Sequence, residues 1–165
     1  MLRISKLADY GTIIMVYLAN QDPRYCNARD IALNTHLNTP TVSKLLKLLT
    51  TGGLLTSIRG VNGGYGLKRS TDEISIADII YALETQRGLT ECSNNTTLCS
   101  LQSNCNMQSN WQIISKLLED ALASVSLSAF AKLNLPTKTI NNLNNAINFN
   151  INNLSNLSKL RIKSG

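Results

Sequence analysis

The sequence predicts a mainly α protein: a basic head of three short helices and a β-hairpin, followed by a long C-terminal helix. Three observations predict it. A leucine stripe at helical spacing follows a short helix and a tight turn. A glycine-rich hairpin pattern comes directly after that stripe. A second apolar stripe lies beyond a polar segment bearing three cysteines.

The elements follow in order. Residues 5–19 read as a helix capped by Ser5, with Leu7, Tyr10, Ile14 and Leu18 at helical spacing. "NQDPRY" breaks it with a turn. Residues 28–34, "ARDIALN", form a short second helix with Asn27 as N-cap and Asp30 three residues on. "THLN" turns the chain, and Thr39 before Pro40 suits a cap and a first helical position. "TVSKLLKLLTTGG" then runs as a third helix, buried through Val42, Leu45, Leu46 and Leu49 and stopped by Gly52 and Gly53. "LLTSIRGVNGGYGLKRS" alternates, turns through Gly60, Gly63 and Gly64, and resumes at Tyr65–Lys68 as a hairpin. A hairpin directly after the second helix of a helix-turn-helix makes a winged helix-turn-helix domain.

"STDEISIADIIYALET" opens a fourth helix, with Ser75 and Asp78 as a capping box and Ile76, Ile79, Ile80 and Leu83 on its apolar face. From Met107 to about Leu133 one long helix is expected, with Trp111, Ile114, Leu118, Ala121, Leu122, Val125 and Phe130 along one side. The head is small, so this stripe calls for a symmetric partner helix, which makes it a dimerisation helix. Packing on its own head is the other solution. Pro136 ends the helix, and residues 137–165 are Asn-rich and of low complexity. The expected organisation is 1–86 winged-helix domain, 87–106 cysteine loop, 107–135 dimerisation helix and 136–165 tail.

The 165 residues carry a net charge of +6, and its placement is informative. Residues 1–70 hold nine Lys/Arg against three Asp/Glu, whereas 71–165 hold seven of each. All the excess positive charge lies in the head, which points to a polyanion, most simply double-stranded DNA. A winged-helix protein-interaction module with a solubilising surface is the alternative. Thr39, Thr41, Ser43, Lys44 and Lys47 lie opposite the leucines of the third helix, where hydroxyls read base edges and lysines bind phosphates. Arg59 beside the glycine turn is placed to reach a backbone or minor groove, and Lys68 lies on the returning strand. No signal-peptide pattern and no apolar run near ~18 residues is evident, so a cytoplasmic protein with reduced cysteines is expected.

The segment "CSNNTTLCSLQSNC" places Cys92, Cys99 and Cys105 with spacers of six and five residues. In a reducing compartment such a triplet reads as a metal or redox site. The spacers are longer than the two-residue spacing of zinc knuckles, which weighs against a simple zinc site. No nucleophile–base constellation is evident and His36 is the single histidine, so no catalytic residues are assigned and an enzyme is not expected. "GVNGGYG" lies in a hairpin rather than before a helix and makes a poor phosphate cradle.

These features together resemble the iron–sulfur cluster regulator family of winged-helix repressors, which includes IscR-type regulators of cluster assembly and NsrR-type nitric-oxide sensors. The likeness rests on "RISKLADYG", the wing "SIRGVNGGYGLKR", "ISIADIIYALE", the cysteine triplet and Trp111, six residues after Cys105, and covers about residues 1–135. "MLRISKLADYGT" is most similar to the branch that regulates the SUF cluster-assembly operon. The resemblance implies a homodimer held by the long helix, with two recognition helices in successive major grooves. It also implies an iron–sulfur cluster on Cys92, Cys99 and Cys105, 2Fe–2S in preference to 4Fe–4S. Thiolates suit iron as soft anionic donors.

The fourth ligand departs from one branch and fits another. Where the IscR type places a histidine three residues after the last cysteine, this sequence has Gln108, a weak neutral donor. The NsrR type uses an aspartate near the start of the first helix, from the partner subunit, and Asp9 stands at the matching place. Asp9 also has a purely helical role, favoured by the dipole at a helix start. Cys26, Glu91, an exogenous thiol and water are the remaining candidates; Cys26 also reads as a small buried filler. His36 sits in the turn between the second and third helices, where a left-handed residue is often needed. The expected function is a repressor whose cluster status alters DNA affinity. A nitric-oxide or thiol/redox-sensing repressor without a stable cluster, a zinc-stabilised DNA binder and an apo-only regulator are the alternatives.

Overall fold

The computed structural model describes residues 4–21, 25–60, 63–84, 89–90 and 107–132. Among them are helices α1 (Lys6–Ala19), α2 (Ala28–Thr35), α3 (Thr39–Thr51), α4 (Ile76–Leu83), α5 (Gln108–Ala123) and α6 (Leu127–Ala131), and strands β1 (Leu55–Ile58) and β2 (Gly64–Leu67). The chain divides into two units: Met1–Thr85 with Val125–Leu135, and Gln86–Ser124 with Pro136–Gly165. The expected mainly helical class with an antiparallel hairpin is what the structure contains.

The first unit is built from capped helices. The Ser5 hydroxyl accepts from the Ala8 amide at 3.2 Å and starts α1. The Asn27 side chain accepts from the Asp30 amide at 2.9 Å and donates to its carboxylate at 2.8 Å, starting α2. His36 ends α2 in the left-handed conformation (φ 56°), so the chain turns sharply into α3. The cap of α3 is Asn38 rather than Thr39: its side-chain oxygen accepts from the Thr41 amide at 2.8 Å, and Thr39 is already helical. Both residue types cap well, and an Asn one residue earlier captures the amide first. Gly52 closes α3, with Gly53 following at φ 76°.

The core of this unit joins its helices and β1. Ile14, Met15 and Leu18 of α1, Ile31 of α2, Leu45, Leu46 and Leu49 of α3, Leu55 of β1, Ile79 of α4 and Leu127 of α6, with Leu54 and Ile74 from the connections, are all essentially solvent-free. Each such side chain contributes about 1.5–3 kcal/mol by leaving water. Close helix approach needs small residues at the crossings. A Cβ on Gly11 would sit 2.1 Å from a Leu83 methyl, and one on Gly52 would sit 2.5 Å from the Ala82 Cβ.

β1 and β2 pair antiparallel, with Leu55 opposite Leu67, Thr56 opposite Gly66, Ser57 opposite Tyr65 and Ile58 opposite Gly64. On the other edge of β2, Cys26 exchanges both backbone hydrogen bonds with Tyr65, at 3.0 and 2.8 Å. The segment before α2 is thereby tied to the edge of the hairpin by an isolated one-residue bridge. Cys26 itself is buried with a free thiol.

The single helix expected from Met107 to about Leu133 is broken. α5 stops at Ala123, and α6 begins at Leu127 with its own cap, the Ser126 hydroxyl accepting from the Ala129 amide at 3.2 Å. The Ser124 hydroxyl donates to the Ala121 carbonyl at 2.8 Å, a local bond that competes with helix continuation. Beyond it the chain joins the first unit. The Ile76 amide donates to the Val125 carbonyl at 2.9 Å, Leu127 to Ile74 at 2.7 Å and Ser128 to Thr71 at 3.1 Å. The Ser128 hydroxyl donates to the Asp72 carboxylate. Residues 125–132 are thus part of the head, although α5 and the cysteine segment separate them from it in sequence.

In the second unit, the Leu89 amide donates to the Ser115 hydroxyl of α5 at 3.1 Å. Lys116 pairs with Asp120 at 2.9 Å and Glu119 at 3.5 Å. The Asp120 hydrogen bond pushes the Lys116 ammonium up from its ordinary value. By helical geometry Trp111, Ile114 and Leu118 share the face turned away from Lys116 and Asp120. All three are exposed. The expected tail and Cys92, Cys99, Cys105 and Glu91 lie outside the described residues. No helix among the described residues is long and apolar enough to cross a membrane.

Candidate nucleic-acid interface

α3 buries Val42, Leu45, Leu46 and Leu49. That spacing leaves Thr39, Pro40, Ser43, Lys44 and Lys47 exposed on the opposite stripe. Thr41 differs from the others: it is half-buried at the border of the stripe, its amide held by Asn38. α3 carries no carboxylate, so its exposed face is hydroxyl and ammonium only. Its first turn adds the partial positive charge of a helix N-terminus. A helix of this kind fits a major groove end-on, hydroxyls toward base edges and lysines toward phosphates.

The wing adds a second basic surface. Arg59 follows β1 directly and is exposed. The hairpin turns where the Gly63 amide donates to the Gly60 carbonyl at 3.0 Å, with Gly60 at φ 119°. Only glycine adopts that conformation without strain. Lys68 leaves β2 with its amide on the Leu54 carbonyl at 3.0 Å and its side chain exposed. Among the described residues, Lys44, Lys47, Arg59 and Lys68 make no ion pair.

Arg69, next in line, behaves differently. Its guanidinium reaches the Asp78 carboxylate at 3.5 Å and the Glu73 carbonyl at 3.3 Å. Asp78 is at the same time the capping-box partner of Ser75, accepting from the Ser75 amide at 3.0 Å. Arg69 therefore braces the start of α4, while Lys68 faces solvent. The Ser70 hydroxyl and amide donate to Glu73 at 2.8 and 3.1 Å and hold its carboxyl below the usual range. This tightens the turn by which the wing enters α4.

Of the expected metal ligands only Asp9 is described. It lies exposed in the first turn of α1, its amide on the Ser5 carbonyl at 3.0 Å. Among the described residues no group of three His, Cys, Asp or Glu side chains stands close enough to hold a metal ion. Gln108 opens α5. His36 serves the turn before α3, at the expected place. Sequence reasoning missed the cap Asn38, whose signal, an Asn before a Thr-Pro pair, was present but ambiguous. It also missed the return of residues 125–132: Ser124 and Ser126 offer a local signal for the break, but none for the segment on which α6 packs.

Comparison with known proteins is consistent with this geometry. A family profile described as "Rrf2: Iron-dependent Transcriptional regulator" matches residues 4–132. The chain is 25% identical over 128 residues to protein rrf2 of Nitratidesulfovibrio vulgaris, covering 77% of this chain and 85% of that one. Among solved structures it is similar to CymR, the global cysteine regulator of B. subtilis, with a TM-score of 0.63 and 29% identity over 81% of this chain and 98% of that one. It is also similar to IscR of T. potens, with a TM-score of 0.60 and 29% identity over 79% of this chain and 87% of that one.

Proposed function

Since this chain belongs to the Rrf2 family of transcriptional regulators, not to a family of enzymes, we propose that it is a dimeric DNA-binding repressor that reports iron–sulfur cluster status to cluster-assembly genes of the SUF type. The observation that carries the DNA-binding half is α3. Its cap Asn38 and buried leucine stripe present Ser43, Lys44 and Lys47 on a carboxylate-free face beside a basic wing. Support for the dimer comes from α5, where Trp111, Ile114 and Leu118 form an exposed apolar face and none of the helix's residues is buried. A second copy of α5 is the natural cover for such a stripe. A homodimer presents two α3 helices, matching two half-sites about one helical turn apart.

The cluster half rests on the donor set. Cys92, Cys99 and Cys105 offer three thiolates, and Asp9 of the partner subunit offers a carboxylate. Three soft anionic sulfurs and one oxygen suit an iron–sulfur group with one exchangeable position. When bound, the group supplies an oxidant-sensitive centre. The three cysteines lie in sequence between the head and α5. Holding a ligand there in one state only makes DNA affinity depend on that state, with a coupling of ~1–3 kcal/mol typical of such linkage.

A second reading is a thiol-sensing repressor without a stable cluster, favoured by the similarity to the cysteine regulator CymR. It uses the same three cysteines as reversible thiols. The test is purification without oxygen, iron and sulfide quantification, and binding of both forms to duplex DNA from the promoter of its own operon. Stoichiometric iron and sulfide with different affinities of the loaded and stripped forms support the cluster reading. Colourless, iron-free protein whose DNA affinity changes with thiol oxidation supports the second. Unchanged affinity after Cys92, Cys99 and Cys105 are all replaced by serine removes both.

A further inference from the structure

Ile58 ends β1 immediately before Arg59 and is 50% exposed. Single exposed apolar residues are ordinary on protein surfaces. The surroundings of Ile58 set it apart. Residues directly opposite in an antiparallel pair point to the same face. Ile58 faces Gly64 and Thr56 faces Gly66, so this face of the hairpin has no side chain across from either residue. The Thr56–Gly66 end is closed by Tyr25, whose ring would lie 3.1 Å from a Cβ on Gly66. At the Ile58 end it is the backbone of Cys26 that lies against Gly64, and the Ile58 side chain stays half exposed.

Gly63 and Gly64 also bring backbone segments close together at the base of the turn. A Cβ on Gly63 would sit 2.2 Å from the Ile58 carbonyl, and one on Gly64 would sit 2.5 Å from the Cys26 carbonyl. Backbone therefore packs on backbone at these two glycines, and among the described residues the exposed apolar side chain beside Arg59 is Ile58. A minor groove is about 6 Å wide. It excludes a helix and admits a ribbon of this kind. Branched apolar side chains serve as wedges or wall contacts in minor grooves, beside arginines that answer the groove's negative potential. A β-branched side chain is held in few rotamers, so little entropy is lost when it is seated.

We propose that Ile58 is an apolar DNA contact of the wing, seated in the minor groove next to Arg59. This rests on the DNA-binding reading above and assigns affinity to a residue that carries neither charge nor hydrogen-bonding group on its side chain. Its contribution comes from surface left exposed in the free protein and covered only by DNA.

The distinguishing property is salt dependence. A phosphate contact changes the slope of log K against log salt, whereas an apolar contact does not. Affinities of the full chain for duplex DNA from its own promoter are measured across a salt series. The variants are Ile58→Thr, Ile58→Val and Arg59→Ala. Thr and Val keep the β-branched shape of a strand residue, so thermal midpoints stay near the wild type. The expected result is about tenfold weaker binding for Ile58→Thr at every salt concentration with an unchanged slope. Ile58→Val binds within about threefold of the wild type. Arg59→Ala loses about one unit of slope. Netropsin, which fills A·T minor grooves, weakens the wild type more than it weakens Ile58→Thr. Wild-type affinity in Ile58→Thr, an altered slope, or equal sensitivity of both proteins to netropsin would overturn the proposal. If the wild type binds no duplex at any salt concentration, the DNA-binding reading itself fails and this inference falls with it. If it binds and only the Ile58 results fail, the DNA-binding reading stands.

Discussion

The backbone amide of Leu127 donates to the carbonyl of Ile74 at 2.7 Å, and the Leu127 side chain is fully buried. A residue beyond α5 therefore completes the core that supports the wing and α3. Leu127→Ala leaves a cavity there, and such truncations cost about 2–5 kcal/mol. The expected outcome is a large drop in the urea midpoint of the helical signal in far-ultraviolet circular dichroism. Ending the chain after Ser124 should have at least as large an effect and should abolish DNA binding.

Ser75 joins two structures at once. Its hydroxyl accepts from the Asp78 amide at 3.1 Å to cap α4, and its backbone bridges to Ser126. Ser75→Ala removes the cap and keeps the bridge. A loss of about 0.5–2 kcal/mol in chemical denaturation is expected, while Ser75→Thr, which retains the cap hydroxyl, stays closer to the wild type.

Among the described residues Lys44 and Lys47 make no ion pair, whereas Arg69 is engaged by Asp78. Lys44→Ala and Lys47→Ala should each lower the salt slope of DNA binding by about one. Arg69→Ala should leave that slope unchanged and lower thermal stability slightly, because an exposed pair of this kind contributes about 0–1 kcal/mol. Equal slope losses for all three would show that Arg69 leaves Asp78 when DNA binds.

Gly64 lies against the backbone of Cys26 and Asn27, which cannot swing aside as a side-chain end can. Gly64→Ala should part the Cys26–Tyr65 bridge. Faster hydrogen exchange at the Tyr65 amide, which now donates to Cys26 at 2.8 Å, is the expected readout. DNA affinity should fall with it, since the same glycine sits at the base of the wing turn.

Much of the head was legible because its signals are local. The Ser5, Asn27 and Ser75 caps, the left-handed turn at His36 and the Gly52–Gly53 stop each depend on residues within four positions. The leucine stripe of α3 fixed its exposed face by the same periodicity. The cap of α3 was misplaced by one residue because Asn38 and Thr39 are both competent and the sequence does not rank their geometry. The cysteine triplet lies outside the described residues, and its reading as a donor set rests on residue type and spacing alone.

By itself the sequence determined the buried stripe of α3, where α1, α2 and α4 begin, and that a basic winged head precedes a cysteine segment. Those properties are set by periodic side-chain chemistry and near-neighbour hydrogen bonds. Tertiary structure alone decided that the chain beyond Ser124 returns to the head as α6, that Cys26 bridges to the edge of the hairpin, that Arg69 belongs to Asp78, and that Ile58 is left facing glycine. Each of these is a pairing of segments whose partner is chosen by the free energy of the assembled core, and no residue pattern along the chain records that choice.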